Sequence, residues 1–133
     1  MKYIHVVRDG RDMALSSNKN QLQLWGEVLL GRRIDVQSPE DALDYWCAVH
    51  ERIFGLLAAY PQQVLLIKLE SLLGDAPRSL GSVVEFLGLK ALSDSSELLS
   101  RFTKPGSLGR FRDVSMAVTR QQIQTLERLG YET

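Results

Sequence analysis

The residues best suited to binding an anion lie in the opening stretch of the chain, MKYIHVVRDGRDMALS. Arg8 follows a β-branched run at 3–7 that is typical of a buried strand. Asp9 stands where the N-cap of a following helix is expected. A strand, a tight turn and a helix start present backbone N–H groups and a helix dipole, which bind anions. The stretch predicts a phosphate-binding corner, with Arg8 as the cation and Ser16, two turns into the helix, as a hydroxyl donor.

A second segment with anion-binding chemistry lies late in the chain, at residues 104–112, which read KPGSLGRFR. Its two glycines allow backbone amides to approach a ligand closely. Lys104, Arg110 and Arg112 add three cations within nine residues, which favours a phosphate as that ligand. An ordinary basic surface loop is the alternative interpretation.

The elements that must position these segments alternate between strand and helix. Ser38 and Pro39 predict a helix start, and apolar residues then recur at helical spacing until Tyr60–Pro61. The apolar run at 63–69 predicts a second buried strand, of the kind found in parallel sheets. Because parallel strands need a crossover helix, these elements form a βαβ-type unit. The predicted fold class is α/β, with a short parallel sheet flanked by helices.

Further helices and one insertion complete the predicted organisation. One helix is expected within residues 77–88, and a last one within 119–130, between a capping-box signature and a terminating glycine. The first helix is expected to end near 18–20. Residues 17–38 are polar and mixed, which favours a variable insertion lining a substrate cleft. Residues 92–102 are predicted as a loop or a short helix.

Composition bounds the class of protein. The chain has 133 residues, of which 44% are hydrophobic and 24% charged, as expected of one globular domain. Its net charge of zero argues against a non-specific nucleic-acid binder. Cys47 is the one cysteine, which rules out an intrachain disulfide and leaves no metal constellation. The sequence shows no signal peptide and no membrane span, so a cytoplasmic protein is expected.

At the opening corner, the motif Val-Val-Arg-Asp-x-Arg-Asp-x-x-x-Ser resembles the 3′-phosphate-binding motif of sulfotransferases that use PAPS (3′-phosphoadenosine 5′-phosphosulfate). The resemblance implies that Arg8 and Ser16 grip the 3′-phosphate of this sulfate donor. One departure is Gly10, where the family usually has proline. Since proline pre-sets the first helical position, we expect a looser turn here that keeps its donors.

The late loop at 104–112 resembles the family's glycine loop, which folds over the same nucleotide. It best fits prokaryotic members with Ser, Gly, Arg and an aromatic residue in that order. The resemblance therefore adds Ser107, Gly109 and Arg110 as nucleotide contacts. It implies a P-loop-NTPase-like three-layer fold. Shorter segments also match the family in chain order, at 69–72, 86–88 and 129–131.

The sequence holds no counterpart of the family's catalytic parts. It contains no G-x-x-x-x-G-K-[ST] motif and no other glycine loop with a following lysine for the 5′-phosphosulfate, and no counterpart of the usual His or Glu base. His50, on the long helix, is expected to be a packing or surface residue. We therefore expect residues 1–133 to be a single sulfotransferase-like domain, incomplete at its N-terminus and inactive alone, with its catalytic residues unknown. The reaction implied by the resemblance is sulfuryl transfer to a hydroxyl or amine acceptor.

Several alternatives remain open at this point. One is a non-catalytic nucleotide- or phosphate-binding α/β module that works with a partner chain. Another is a remnant without a ligand. A P-loop kinase is disfavoured because the Walker loop is missing. A homodimer that pairs at an exposed sheet edge is a further option. The acceptor is not specified, and residues 21–37 and 92–101 are the segments expected to select it.

Overall fold

The computed structural model describes residues 1–90 and 96–133. The chain forms two compact units, the first from Met1–Arg8 and Leu56–Gly106, the second from Asp9–Gly55 and Ser107–Thr133. Within the described ranges, no helix is both long and apolar enough to cross a membrane. The elements, in chain order, are β1 (Tyr3–Val7), α1 (Gly10–Ala14), α2 (Asn20–Leu30), α3 (Pro39–Ala59), β2 (Val64–Lys68), α4 (Leu69–Gly74), α5 (Ala76–Leu87), α6 (Ser96–Ser100), a 3₁₀ helix (Arg110–Asp113) and α7 (Arg120–Arg128).

The first unit is built on a parallel pair of strands. β1 and β2 pair in register from Tyr3 opposite Val64 to Val7 opposite Lys68. α4 and α5 pack against β2, and Val7, Val64 and Ile67 are buried. Both strands lie where the apolar runs predicted them, and their parallel pairing confirms the predicted α/β class with a short parallel sheet.

The ends of α5 also follow the sequence. Asp75 caps its N-terminus by accepting a hydrogen bond from the backbone N–H of Arg78. Gly88 ends it in the left-handed conformation, with φ of 68°, which glycine adopts without a steric penalty. The predicted helix that ends at this glycine is confirmed.

The second unit packs α3 against α7. α3 begins as predicted, with the Ser38 hydroxyl accepting from the Asp41 N–H at 3.1 Å. At its centre, the Trp46 ring meets Tyr131 edge-on, with centroids 6.4 Å apart. The buried core of this unit includes Leu43, Trp46, Leu126, Leu129 and Tyr131.

α7 is capped at both ends by residues that lie next to it in the chain. Thr119 and Gln122 form a complete capping box. At the other end the N–H groups of Gly130 and Tyr131 donate back to the carbonyls of Glu127 and Leu126, which is a Schellman motif. Gly130 has φ of 74°. Both predicted boundaries of the last helix are confirmed.

The segment after the opening corner differs from the prediction. α1 ends at Ala14, so Ser16 lies beyond the helix and not two turns into it. The Ser16 hydroxyl accepts from the Asn18 N–H, and the Asn18 side chain accepts from the Asn20 N–H. These local side-chain bonds compete with helical ones, which explains the early end. The polar stretch that follows, expected to be a variable insertion, is in large part the helix α2.

The predicted loop or short helix at 92–102 is described only in part. Ser96–Ser100 form the short helix α6. Residues 92–95 lie outside the described residues.

Candidate functional site

The candidate site in the second unit starts at the turn that opens α1. The Asp9 carboxylate accepts from the backbone N–H of Arg11 at 2.9 Å, which confirms the predicted N-cap. The Arg11 guanidinium also donates to both carboxylate oxygens of Asp9, at 3.0 and 2.7 Å. Because a bidentate pair fixes both side chains, the first turn of α1 is firmly held.

Gly10 stands in this turn because there is no room for a larger side chain. Its backbone is not in the left-handed region. A Cβ at this position would lie 2.6 Å from the Trp46 ring and 2.9 Å from Leu43 Cδ1. Absence of a side chain thus lets α1 approach α3 closely. The turn is tightly packed, although the sequence led us to expect a looser one.

A buried carboxylate joins α1 to the late glycine loop. Asp12 is 1% exposed, and its Oδ2 accepts from the Gly109 N–H at 2.7 Å. Its Oδ1 accepts from the Phe111 N–H at 3.2 Å. Hydrogen bonds from backbone amides to a buried carboxylate are strong and directional, so Asp12 fixes the position of the loop backbone.

Arg110, which lies between Gly109 and Phe111, also binds Asp12, through its side chain. The Arg110 guanidinium donates to the main-chain carbonyl of Asp12 through Nη2 at 2.6 Å and Nε at 3.2 Å. Gly109 has φ of 78° and precedes the 3₁₀ helix, a conformation that favours glycine. The loop is therefore held on α1 by backbone and side-chain bonds together. We call residues 9–19 and 107–113 the α1 corner.

Arg11 completes the packing of the corner. Its guanidinium lies over the Phe111 ring, 3.9 Å from the ring centre, in a cation–π contact. It also donates to the carbonyl of Glu132 at 2.7 Å. Arg11 is thus committed to three internal partners, and its role in the described structure is to hold the corner together.

Lys19 places a second cation beside Arg110. Its ammonium donates to the carbonyl of Ala14, in the last turn of α1. Burial lowers the pKa of Lys19, and the positive charge of Arg110 lowers it further. A like charge shifts a lysine in this direction only when it is close. The α1 corner therefore holds two partly buried cations near each other.

The structure brings some of the predicted site residues together. Gly109 and Arg110 both contact α1, and Ser16 follows α1 by two residues. Ser107 is half-buried in the same loop. Arg8 follows the last residue of β1, belongs to the first unit and is half-buried.

Sequence reasoning missed three residues of the corner: Asp12, Arg11 and Lys19. A repeated Arg-Asp pair at 8–9 and 11–12 was a visible signal. Only one aspartate can cap the helix, so the other needed a different partner. For Lys19 the sequence carries no signal, because its neighbour Arg110 is distant in the chain.

The two potentially reactive side chains of α3 are structural. His50 is buried, shares a hydrogen bond of 2.7 Å with the Trp46 carbonyl, and stacks on the Trp46 ring at 4.1 Å. This confirms it as a packing residue. Burial raises the pKa of the Cys47 thiol to about 11, so little thiolate is present near neutral pH. Within 1–90 and 96–133, no group of three or more His, Cys, Asp or Glu side chains could hold a metal ion.

Comparisons with known proteins bear on the fold. No protein-family model and no curated protein matches the chain. Among solved structures, a match is the "Sulfotransferase Domain from the Curacin Biosynthetic Pathway", with 17% sequence identity and a TM-score of 0.65. The match covers 98% of this chain and 54% of that one, so the chain spans about half the length of that domain. The chain therefore has a sulfotransferase-like α/β fold.

Proposed function

We propose that the chain binds the 3′-phosphate side of PAPS, or of its product PAP (3′-phosphoadenosine 5′-phosphate). The residues assigned to this role are Arg8, Ser16, Ser107, Gly109 and Arg110. Two independent lines support the proposal: the opening motif resembles the 3′-phosphate motif of PAPS-dependent sulfotransferases, and the fold is sulfotransferase-like.

One observation carries the proposal furthest. The residues implied by the two motifs are distant in sequence, yet Asp12 holds Gly109 and Arg110 against the helix that leads to Ser16. Ser16 and the late loop thus belong to the same unit of the chain, which favours a common ligand for them. Arg110 donates two of its N–H groups to the Asp12 carbonyl. A guanidinium has about five such donors, so the rest remain for phosphate oxygens.

The proposed role is donor binding without sulfuryl transfer by the isolated chain. Transfer depends on stabilising charge at the group that moves. The 3′-phosphate lies at the far end of the nucleotide, where binding energy is gained but no bond changes. The sequence contains no glycine-rich loop with a following lysine for the 5′-phosphosulfate. In a complete sulfotransferase site, the acceptor would be a hydroxyl or an amine.

Calorimetric titration with PAP and with ADP tests the proposal, because the two nucleotides carry the same number of phosphates in different places. We expect PAP to bind more tightly. Arg8→Ala should weaken PAP binding about tenfold to a hundredfold, since a hydrogen bond to a charged group contributes roughly 1.5–3 kcal/mol. Arg52→Ala, at an exposed arginine of α3, is the matched control.

Equal affinity for PAP and ADP would contradict a 3′-phosphate site and favour a general phosphate-binding module. Circular dichroism of Arg8→Ala must match that of the parent chain, so that lost binding is not lost folding. A rate of sulfate transfer from PAPS to a phenol well above background would overturn the donor-binding-only role.

A further inference from the structure

Lys19 and Arg110 form a cationic pair without an acidic partner. Both side chains are anchored on α1, Arg110 to the carbonyl of Asp12 and Lys19 to that of Ala14. Along a helix, residues two apart are separated by about 3 Å of rise. Both cations are therefore held against the same five-residue helix, and the positive charge of Arg110 lowers the pKa of Lys19.

Nothing in the described ranges 1–90 and 96–133 neutralises this pair. No carboxylate oxygen there lies within 4.0 Å of either cationic group. The Asp12 carboxylate accepts from the amides of Gly109 and Phe111. Holding two like charges together in a partly buried place costs free energy. A bound anion would remove that cost.

Helix capping accounts for only part of this arrangement. Cations near a helix C-terminus are favourable, and each carbonyl of α1 gains a donor. However, an ammonium has about three N–H donors, and one bond to Ala14 leaves two unused. Capping also gives no reason for placing a second cation beside the first.

We infer that Lys19 is a further phosphate-binding residue, which acts with Arg110 to hold one doubly charged phosphate at the α1 corner. The inference rests on the proposed function, because it assigns this phosphate to the 3′ position of PAPS or PAP. Ser16, which follows α1 and lies three residues before Lys19 in the chain, would supply a hydroxyl. Lys19 would bind as a point charge and Arg110 as a planar donor.

The experiment compares Lys19→Gln with Lys90→Gln in PAP and ADP titrations. Glutamine can still donate to the Ala14 carbonyl, so the variant removes the charge and keeps a donor. Lys90 is exposed and undergoes the same change of charge. We expect Lys19→Gln to lose about tenfold in PAP affinity and little in ADP affinity. Lys90→Gln should match the parent chain, and Lys19→Arg should restore most of the binding.

The outcomes separate this inference from the proposed function. If the parent chain prefers PAP and Lys19→Gln binds it equally well, the role of Lys19 is overturned and the 3′-phosphate site stands. If the parent chain does not prefer PAP over ADP, both are overturned. If Lys90→Gln loses as much affinity as Lys19→Gln, the effect is one of net charge and the assignment fails.

A second readout distinguishes phosphate binding from helix capping. The pKa of the Lys19 ammonium can be followed by NMR at the side-chain nitrogen, with and without PAP. A phosphate beside the ammonium favours its charged form, so PAP should raise this pKa while that of Lys90 stays constant. A Lys19 pKa that PAP leaves unchanged would contradict the inference.

Discussion

The α1 corner and the α3–α7 contact join distant parts of the second unit in different ways. In the corner, a carboxylate that is 1% exposed accepts from two backbone amides. Between α3 and α7, Glu51 pairs with Arg128 at 2.8 Å, with side chains that are 46% and 53% exposed. Buried bonds to the backbone leave little freedom, whereas an exposed ion pair is solvated on both sides. The corner is thus the more firmly held of the two contacts, and the exposed pair adds little to the α3–α7 core.

Removing the buried carboxylate tests this difference most directly. Asp12→Ala leaves the amides of Gly109 and Phe111 without their acceptor. An unsatisfied buried amide costs about 1–3 kcal/mol, and Gly109 and Phe111 are half-buried, so we expect a loss of about 2 kcal/mol in urea unfolding. PAP binding should fall as well, because the loop that carries Arg110 loses its anchor.

Asp113→Ala is the control for this change, since Asp113 is exposed at the end of the 3₁₀ helix in the same loop. It should leave stability nearly unchanged. Equal effects of Asp12→Ala and Asp113→Ala would show that the corner is no more tightly held than the surface.

Local patterns in the sequence predicted most of the fold. β1 and β2 are apolar runs, and the ends of α3, α5 and α7 carry residues whose side chains or backbone conformation form the caps. These signals act within a few residues and need no knowledge of the rest of the chain. Ser16 shows the limit even of local reasoning, because the side chains of Ser16 and Asn18 accept from the N–H groups of Asn18 and Asn20 and so compete with the helix.

The candidate site was predictable only where its residues belong to a motif. Arg8 and Ser16 stand in one motif, and Ser107, Gly109 and Arg110 stand in another. Asp12, Arg11 and Lys19 gain their roles from partners roughly a hundred residues away or from the charge of such a partner. Those pairings depend on the tertiary fold, which no local pattern specifies.

Gly10 offers the next test, because it lies where the α1 corner meets α3. In Gly10→Ala the new methyl would overlap the Trp46 ring at 2.6 Å, and a buried indole has little room to move. Overpacking of this kind costs about 1–3 kcal/mol, which thermal or urea unfolding will detect.

Gly26→Ala is the matched comparison within α2. Its new methyl would meet Ile34 Cδ1 at 2.5 Å and Leu22 Cδ1 at 2.9 Å. Both atoms are the far ends of flexible side chains, and alanine gains about 1 kcal/mol of helix propensity over glycine. We expect a smaller loss than in Gly10→Ala. A larger one would mean that α2, and not the α1 corner, is the more rigid region.

The smallest effect is expected at the exposed pair of the α3–α7 contact. A double-mutant cycle with Glu51→Gln and Arg128→Gln isolates their coupling, which should be about 0.2–1 kcal/mol and should weaken in high salt. Arg128→Gln alone should cost more than Glu51→Gln, because the Arg128 guanidinium also lies over the Phe54 ring at 3.8 Å in a cation–π contact. Thr125 donates to Glu51 at 3.2 Å, so Thr125→Val should change the coupling only slightly. A salt-insensitive coupling above about 2 kcal/mol would contradict the contrast, since Glu51 would then hold α7 as firmly as Asp12 holds the loop.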